Sequence, residues 1–121
     1  MHILYFCFLI LSCSNKQQCF KDLIDHNKFK DVGMKEREKG EYVFSDTSQV
    51  SYVNGALYAK ATILWRSCSK YEIVVRERYY DYGLKVGDTL KVEILSYKND
   101  TFSYKASVLG VTITAKLAKI K

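Results

Sequence analysis

The chain lacks proline altogether, and its 121 residues include one tryptophan and two histidines. Without proline there is no stiff polyproline spacer to hold modules apart, so a single domain is expected. His2 stands at the extreme N-terminus, which leaves His26 as the one imidazole in the body of the chain. General acid–base or metal chemistry built on histidine is therefore poorly supplied. No GxSxG, P-loop or HExxH pattern occurs, and no CxxC spacing suggests a zinc site. The longest apolar run, Ile3 to Leu11, has nine residues, against about 20 for a membrane-spanning helix. Internal repeats and low-complexity tracts are absent as well.

That short apolar run has the length of a signal-peptide core. Ile10-Leu11-Ser12-Cys13 follows it directly and resembles a lipobox: aliphatic residues, a small residue, then the cysteine that becomes diacylated. Ser14, Asn15, Lys16, Gln17 and Gln18 continue as a polar tether. The order predicts a signal peptide over residues 1–12, a palmitoylated, lipid-anchored Cys13, a tether over 13–18 and one domain over 19–121. Three acyl chains exceed the two-anchor requirement for stable attachment. The competing reading is a hydrophobic first strand with Cys13 buried. Positive charge ahead of the run comes only from the α-amine and His2. The expected location is the cell envelope, with the outer membrane favoured. Ser14 is not the Asp that commonly retains enterobacterial lipoproteins at the inner membrane.

Lys and Arg number 19 against 13 Asp and Glu, a net charge of +6. The basic residues are scattered among acids rather than blocked together, which fits solubility near an anionic membrane. An exported protein has little occasion to meet nucleic acid, so no nucleic-acid partner is expected.

Ten Tyr, six Phe and many Val, Ile and Thr favour β structure. Residues 19–40 are hard to read, although Cys19 to His26 suits a short helix with Phe20, Leu23 and Ile24 on one side. From Glu41 the period is two. Tyr42 and Phe44, then Val50 and Tyr52, alternate with polar neighbours. Asn54-Gly55 is a strong hairpin signal. Leu57, Ala59, Ala61, Ile63 and Trp65 share a face of a long strand. Tyr71, Ile73 and Val75 line the next, with Glu72, Arg76 and Arg78 mostly opposite. Leu90, Val92 and Ile94; Phe102 to Val108; and Val111 to Leu117 complete seven expected strands. The prediction is an all-β, antiparallel up-and-down meander that closes into a small lipocalin-like barrel or half-barrel, with a two-sheet β-sandwich as the alternative. Tyr42, Phe44, Tyr52, Trp65, Tyr71, Phe102 and Tyr104 are expected to point inward. Small barrels are usually filled by their own side chains, so core filling is favoured over a ligand pocket for this set.

Trp65-Arg66-Ser67-Cys68-Ser69-Lys70-Tyr71 resembles a group of small lipoproteins from Bacteroidota-type bacteria, with a strand-end tryptophan, a cysteine three residues on and an aromatic three further. Lys85-Val86-Gly87-Asp88-Thr89-Leu90-Lys91-Val92 and Leu117-Ala118-Lys119-Ile120-Lys121 are similar to that group too. The resemblance covers roughly residues 40–121 plus the lipobox, and implies a lipocalin-like β domain of unassigned activity. Members are sometimes labelled topoisomerases. A chain this small and exported, with no tyrosine in a recognisable DNA-cleavage setting, gives that label no support.

The four cysteines divide by fate. Cys7 leaves with the signal and Cys13 is lipidated, so Cys19 and Cys68 remain as a candidate disulfide in an oxidising compartment. Two free or buried thiols are the alternative. Cys68 as a nucleophile would need a positioned base. Glu72 and Glu77 are expected on opposite strand faces and so not as a glycosidase pair. No cofactor, metal or catalytic residue is expected, and the chain is read as a non-catalytic binding or structural module. An apolar small ligand or an envelope protein would be its partner. The cluster Tyr79, Tyr80 and Tyr82 beside Arg76 and Arg78 is the candidate contact, either for a ligand or for docking as an accessory subunit of another envelope protein.

Overall fold

A computed structural model describes residues 19–33, 39–80 and 83–121. The signal segment, Cys13, the tether and Tyr82 lie outside the described residues. A short helix α1 (Phe20–Ile24) precedes eight strands: β1 (Lys28–Asp31), β2 (Gly40–Ser45), β3 (Ser48–Val53), β4 (Ala56–Trp65), β5 (Lys70–Arg78), β6 (Thr89–Lys98), β7 (Thr101–Val108) and β8 (Val111–Lys119). Each pairs antiparallel with the next, and β1 pairs with β8, so the meander is a closed barrel. The sandwich alternative is thereby excluded.

Tight turns set the order. Asn54-Gly55 and Asn99-Asp100 have positive φ at both residues, the conformation that matches a two-residue hairpin to right-handed strand twist. Leu109-Gly110 does the same with a leucine in the left-handed region at φ 50, a position that normally favours Asn or Gly.

One strand more than expected is present. β1 comes from the segment that was hardest to read, because its four residues bury only Phe29 and carry no usable period. It nevertheless closes the barrel. Phe29, Lys30 and Asp31 pair with Lys119, Ala118 and Leu117. Above that seam, residues 111–115 of β8 hydrogen-bond to β7 on one side only among the described residues. Val111 and Ile113 are accordingly exposed, although they sit on the inner-face register of β8.

The interior divides into two halves. Ile24, Phe29, Phe44, Ile63, Tyr71, Val92, Ile94, Phe102 and Leu117 form the buried core, at the end where α1 lies. The rings of Phe29 meet those of Phe44 and Phe102 edge to face, at centroid distances of 5.6 and 4.9 Å. Phe20 and Ile24 project from the helix into this half and plug it. A Cys19–Cys68 disulfide pins the helix to the β4–β5 turn, assisted by the Lys21 N–H donating to the Cys68 carbonyl at 3.2 Å.

The disulfide closes a loop over a sequence separation of 49. In the chain-entropy model such a loop contributes about 4 kcal/mol. Replacing both Cys19 and Cys68 by Ser is expected to lower the unfolding free energy by about that amount, read from urea denaturation, with an m-value raised by the less compact unfolded chain. A loss under about 1 kcal/mol would show that the plug holds without its staple.

Candidate functional site

The opposite half of the barrel is hollow. A cavity of about 450 Å³ opens at the end where Asp31, Gly40, Val53, Tyr58, Tyr80 and Leu84 stand. Its size is that of a small-molecule site. The expectation of a filled core thus holds at the helix end and fails at the mouth. Ala59 and Ala61 make the difference: they take inward positions on β4 where a larger residue would fill the space. Ile73, Val75, Leu84 and Leu90 supply apolar wall.

The polar wall comes from register. Tyr42 pairs with Ser51, and Phe44 with Gln49. The inward residues of β3 are therefore Gln49 and Ser51, both buried, and not Val50 and Tyr52 as the alternation suggested. Gln49 donates through Nε2 to Ser51 Oγ at 3.4 Å. Tyr52 sits on the other parity, at the rim, beside a bulge at Tyr58. Pairing of β3 with β2 outweighs the apolar pattern of β3 itself, since both faces of a short, half-buried strand can be accommodated.

A second bulge decides the fate of the arginines. Ala61 pairs with Val75, but Lys60 pairs with Glu77, leaving Arg76 as an extra residue. A bulge shifts every later side chain to the other face. Arg78 therefore turns inward and lines the cavity, contrary to its expected outward placement. Glu77 turns outward, onto the face that carries Glu72. Arg76 remains outside and donates to Thr62 Oγ1 at 3.0 Å.

Of the expected contact residues, Arg78 and Tyr80 meet in the cavity wall. Tyr80 lies against Tyr58 with ring centroids 4.9 Å apart. Tyr79 points away, and its hydroxyl donates to Glu77. Asp31, Gln49, Ser51 and Tyr58 were not foreseen as site residues. The one visible hint was the pair of alanines at inward positions of a long strand.

Asp31 is built into the wall. Its Oδ2 accepts the Gly40 N–H at 2.8 Å, and the Tyr42 hydroxyl donates to the same carboxylate at 3.2 Å. Gly40 is required by this approach. A Cβ there would stand 2.6 Å from the Tyr42 hydroxyl and 2.8 Å from Asp31 Oδ2. Burial, then the Asp31 charge, pushes the Tyr42 phenol far above its ordinary range. The same two causes push Tyr104 up to about 12.

A second cluster lies at the closed end. His26 Nε2 is 3.0 Å from Asp46 Oδ1 and 3.7 Å from Asp25 Oδ2. These three residues could hold a cation by spacing, but His26 and Asp46 are exposed and the trio forms a polar contact between the helix end and the β2–β3 turn. Burial is the main cause that raises the Asp25 carboxyl.

Compared with family models, with curated proteins and with solved structures, the chain matches none of them.

The raised phenols predict alkaline sensitivity. Below about pH 10 both the folded and the unfolded chain keep these tyrosines protonated, and their contribution to stability is complete. Between pH 10 and about 12 the unfolded chain loses protons that folded Tyr104 retains, so stability falls as pH rises. Urea midpoints measured across this window should decline, and Tyr104→Phe should flatten the decline. An equal slope in the variant would contradict the assignment.

Proposed function

We propose that the chain is an exported, lipid-anchored envelope protein whose barrel binds a small, largely apolar ligand without transforming it. The observation that carries the binding reading is the division of the interior. A barrel plugged at one end by α1 and open into a 450 Å³ cavity at the other is a cup. Ligand sites of this kind are mostly apolar with a few placed polar groups, and Ile73, Val75, Leu90, Ser51, Gln49 and Arg78 answer that description. Among the described lining residues the cavity joins neither a histidine nor a thiol to the carboxylate of Asp31, which is already committed to Gly40 and Tyr42. That supports holding over turnover.

Export is supported by the Cys19–Cys68 disulfide, since such bonds persist in oxidising compartments. The lipobox at Ile10-Leu11-Ser12-Cys13 supports the anchor. Cys13 precedes Cys19 by six residues, a reach of at most about 20 Å. Cys19 belongs to the closed end, so an anchored barrel would sit on its plug with the mouth free for ligand. The resemblance to small Bacteroidota-type lipoproteins fits this reading. Docking of an accessory subunit through the Tyr79–Tyr82 loop finds less support, because Tyr80 faces the cavity and Tyr79 is tied to Glu77.

Two measurements test the two parts. An uncharged fluorescent naphthylamine probe should bind the purified protein at one site. Ala61→Phe, which puts a ring into the cavity, should weaken that binding at least tenfold while leaving the melting temperature within a few degrees. Undiminished binding would remove the cavity from the proposal. In cells, globomycin should cause the precursor to accumulate, and a palmitate analogue should label the protein but not its Cys13→Ala variant. Labelling that survives the substitution would end the lipoprotein reading.

A further inference from the structure

We infer that the cavity takes an amphipathic organic anion, a carboxylate on an apolar chain, with the carboxylate paired to Arg78. The inference rests on the binding reading above and narrows it. Arg78 is the single basic side chain among the cavity-lining residues described. Its guanidinium carries five N–H donors, and the described residues engage it through one neutral acceptor, the Leu84 carbonyl, 3.3 Å from Nη1. No carboxylate of the described residues forms an ion pair with it. A half-buried guanidinium with unused donors over an apolar wall is the arrangement that receives a carboxylate in two parallel hydrogen bonds.

The other charge among the described lining residues, Asp31, does not compete for this role. Both Asp31 oxygens are occupied, with Gly40 N–H on Oδ2 and the Tyr42 hydroxyl bridging the two at 3.3 and 3.2 Å. It orders the wall and leaves Arg78 as the group that meets a ligand. The net charge of +6 also favours the approach of an anion.

Register places the head and the tail. Arg78 pairs with Ala59, Ala59 with Ser51, and Ser51 with Tyr42, so these four residues form one ring of inward positions near the mouth. Ala61, Val75 and Gln49 form the ring beneath it. An anion at Arg78 therefore leads its apolar body down past Val75 and Ala61 to the floor. The volume sets the scale of the ligand. A cavity of about 450 Å³ lies in the range of small-molecule sites, which suits a medium-length saturated carboxylate.

Decanoate, decanol and decyltrimethylammonium should be titrated calorimetrically into the wild-type protein, Arg78→Gln, Arg78→Lys and Ala61→Phe. The expected result is decanoate binding at least tenfold tighter than decanol, with that preference lost in Arg78→Gln and reduced but still present in Arg78→Lys, which keeps the charge and lacks the planar fork. Decanol affinity should be similar in the wild type and Arg78→Gln, which separates loss of the charge from loss of the fold. Equal affinity of decanoate and decanol for the wild type would overturn the inference while leaving the apolar cavity intact. Preference for the cationic probe would overturn it in favour of Asp31. Failure of all three probes, or full binding of them by Ala61→Phe, would instead strike at the cavity reading itself.

Discussion

Closure of this barrel hangs on Phe29. The β1–β8 seam has three residue pairs, too few to hold a sheet by backbone hydrogen bonds alone when a typical bond nets about 1 kcal/mol. Phe29 supplies the rest. It is fully buried, the one such residue of β1, and its ring meets Phe44 from β2 and Phe102 from β7 edge to face. It therefore ties the first strand to rings on both sides of the closure. Burial of a phenylalanine adds about 2–3 kcal/mol, and well-placed ring pairs add more. With the seam shut at this level, the helix end can be plugged. Above it the seam parts, leaving Val111 and Ile113 exposed and the other half of the interior unfilled.

The same division explains the covalent staple. A domain near 100 residues buries only about two thirds of its unfolded surface, and this one forgoes packing in half of its barrel. The core that remains, from Ile24 to Leu117, is concentrated where the N-terminal segment must dock. A five-residue helix is marginal by itself, so its position depends on Phe20, Ile24 and the disulfide. The cross-link restrains the unfolded chain and fixes the plug. It acts at the end remote from the mouth, so the mouth can stay open.

Much of the fold was legible because turn chemistry and alternation agree. Asn54-Gly55, Asn99-Asp100 and the run from Phe102 to Val108 each state their structure locally, and Cys19 and Cys68 follow from discounting two other cysteines. What escaped was decided between strands. β1 shows a single inward apolar residue and no period. Val50 and Tyr52 look like the core face of β3, yet pairing with Tyr42 and Phe44 gives that face to Ser51 and Gln49. The bulges at Tyr58 and Arg76 are invisible in a single chain, since the extra residue is defined only against a partner. The β3 face and the bulges at Tyr58 and Arg76 fall at the cavity, whereas Phe29 of β1 and a further bulge at Leu95 of β6 lie against the packed half. At the candidate site the breaks coincide with the groups that line it.

That coincidence bears on what the bulge after Val75 does. A regular β5 would point Glu77 into the barrel and Arg78 out to water. Glu77 would then add a second carboxylate to a cavity that already holds Asp31, and two like charges in a low-dielectric space oppose each other. Shifting the register by one residue exchanges the anion for a cation. It also brings Tyr80 over the mouth against Tyr58, because everything after the bulge turns with it. One unpaired residue thus changes the sign of the charge that the cavity offers. The cost is a local break in the β4–β5 ladder, at strand ends next to the mouth where few core contacts are lost. A bulge two residues nearer the helix end would turn Val75 outward and strip a buried side chain from the position next to Ile73. Its place, just above the last core residue of β5, is the lowest point at which the cavity can be re-aimed without loosening the plug.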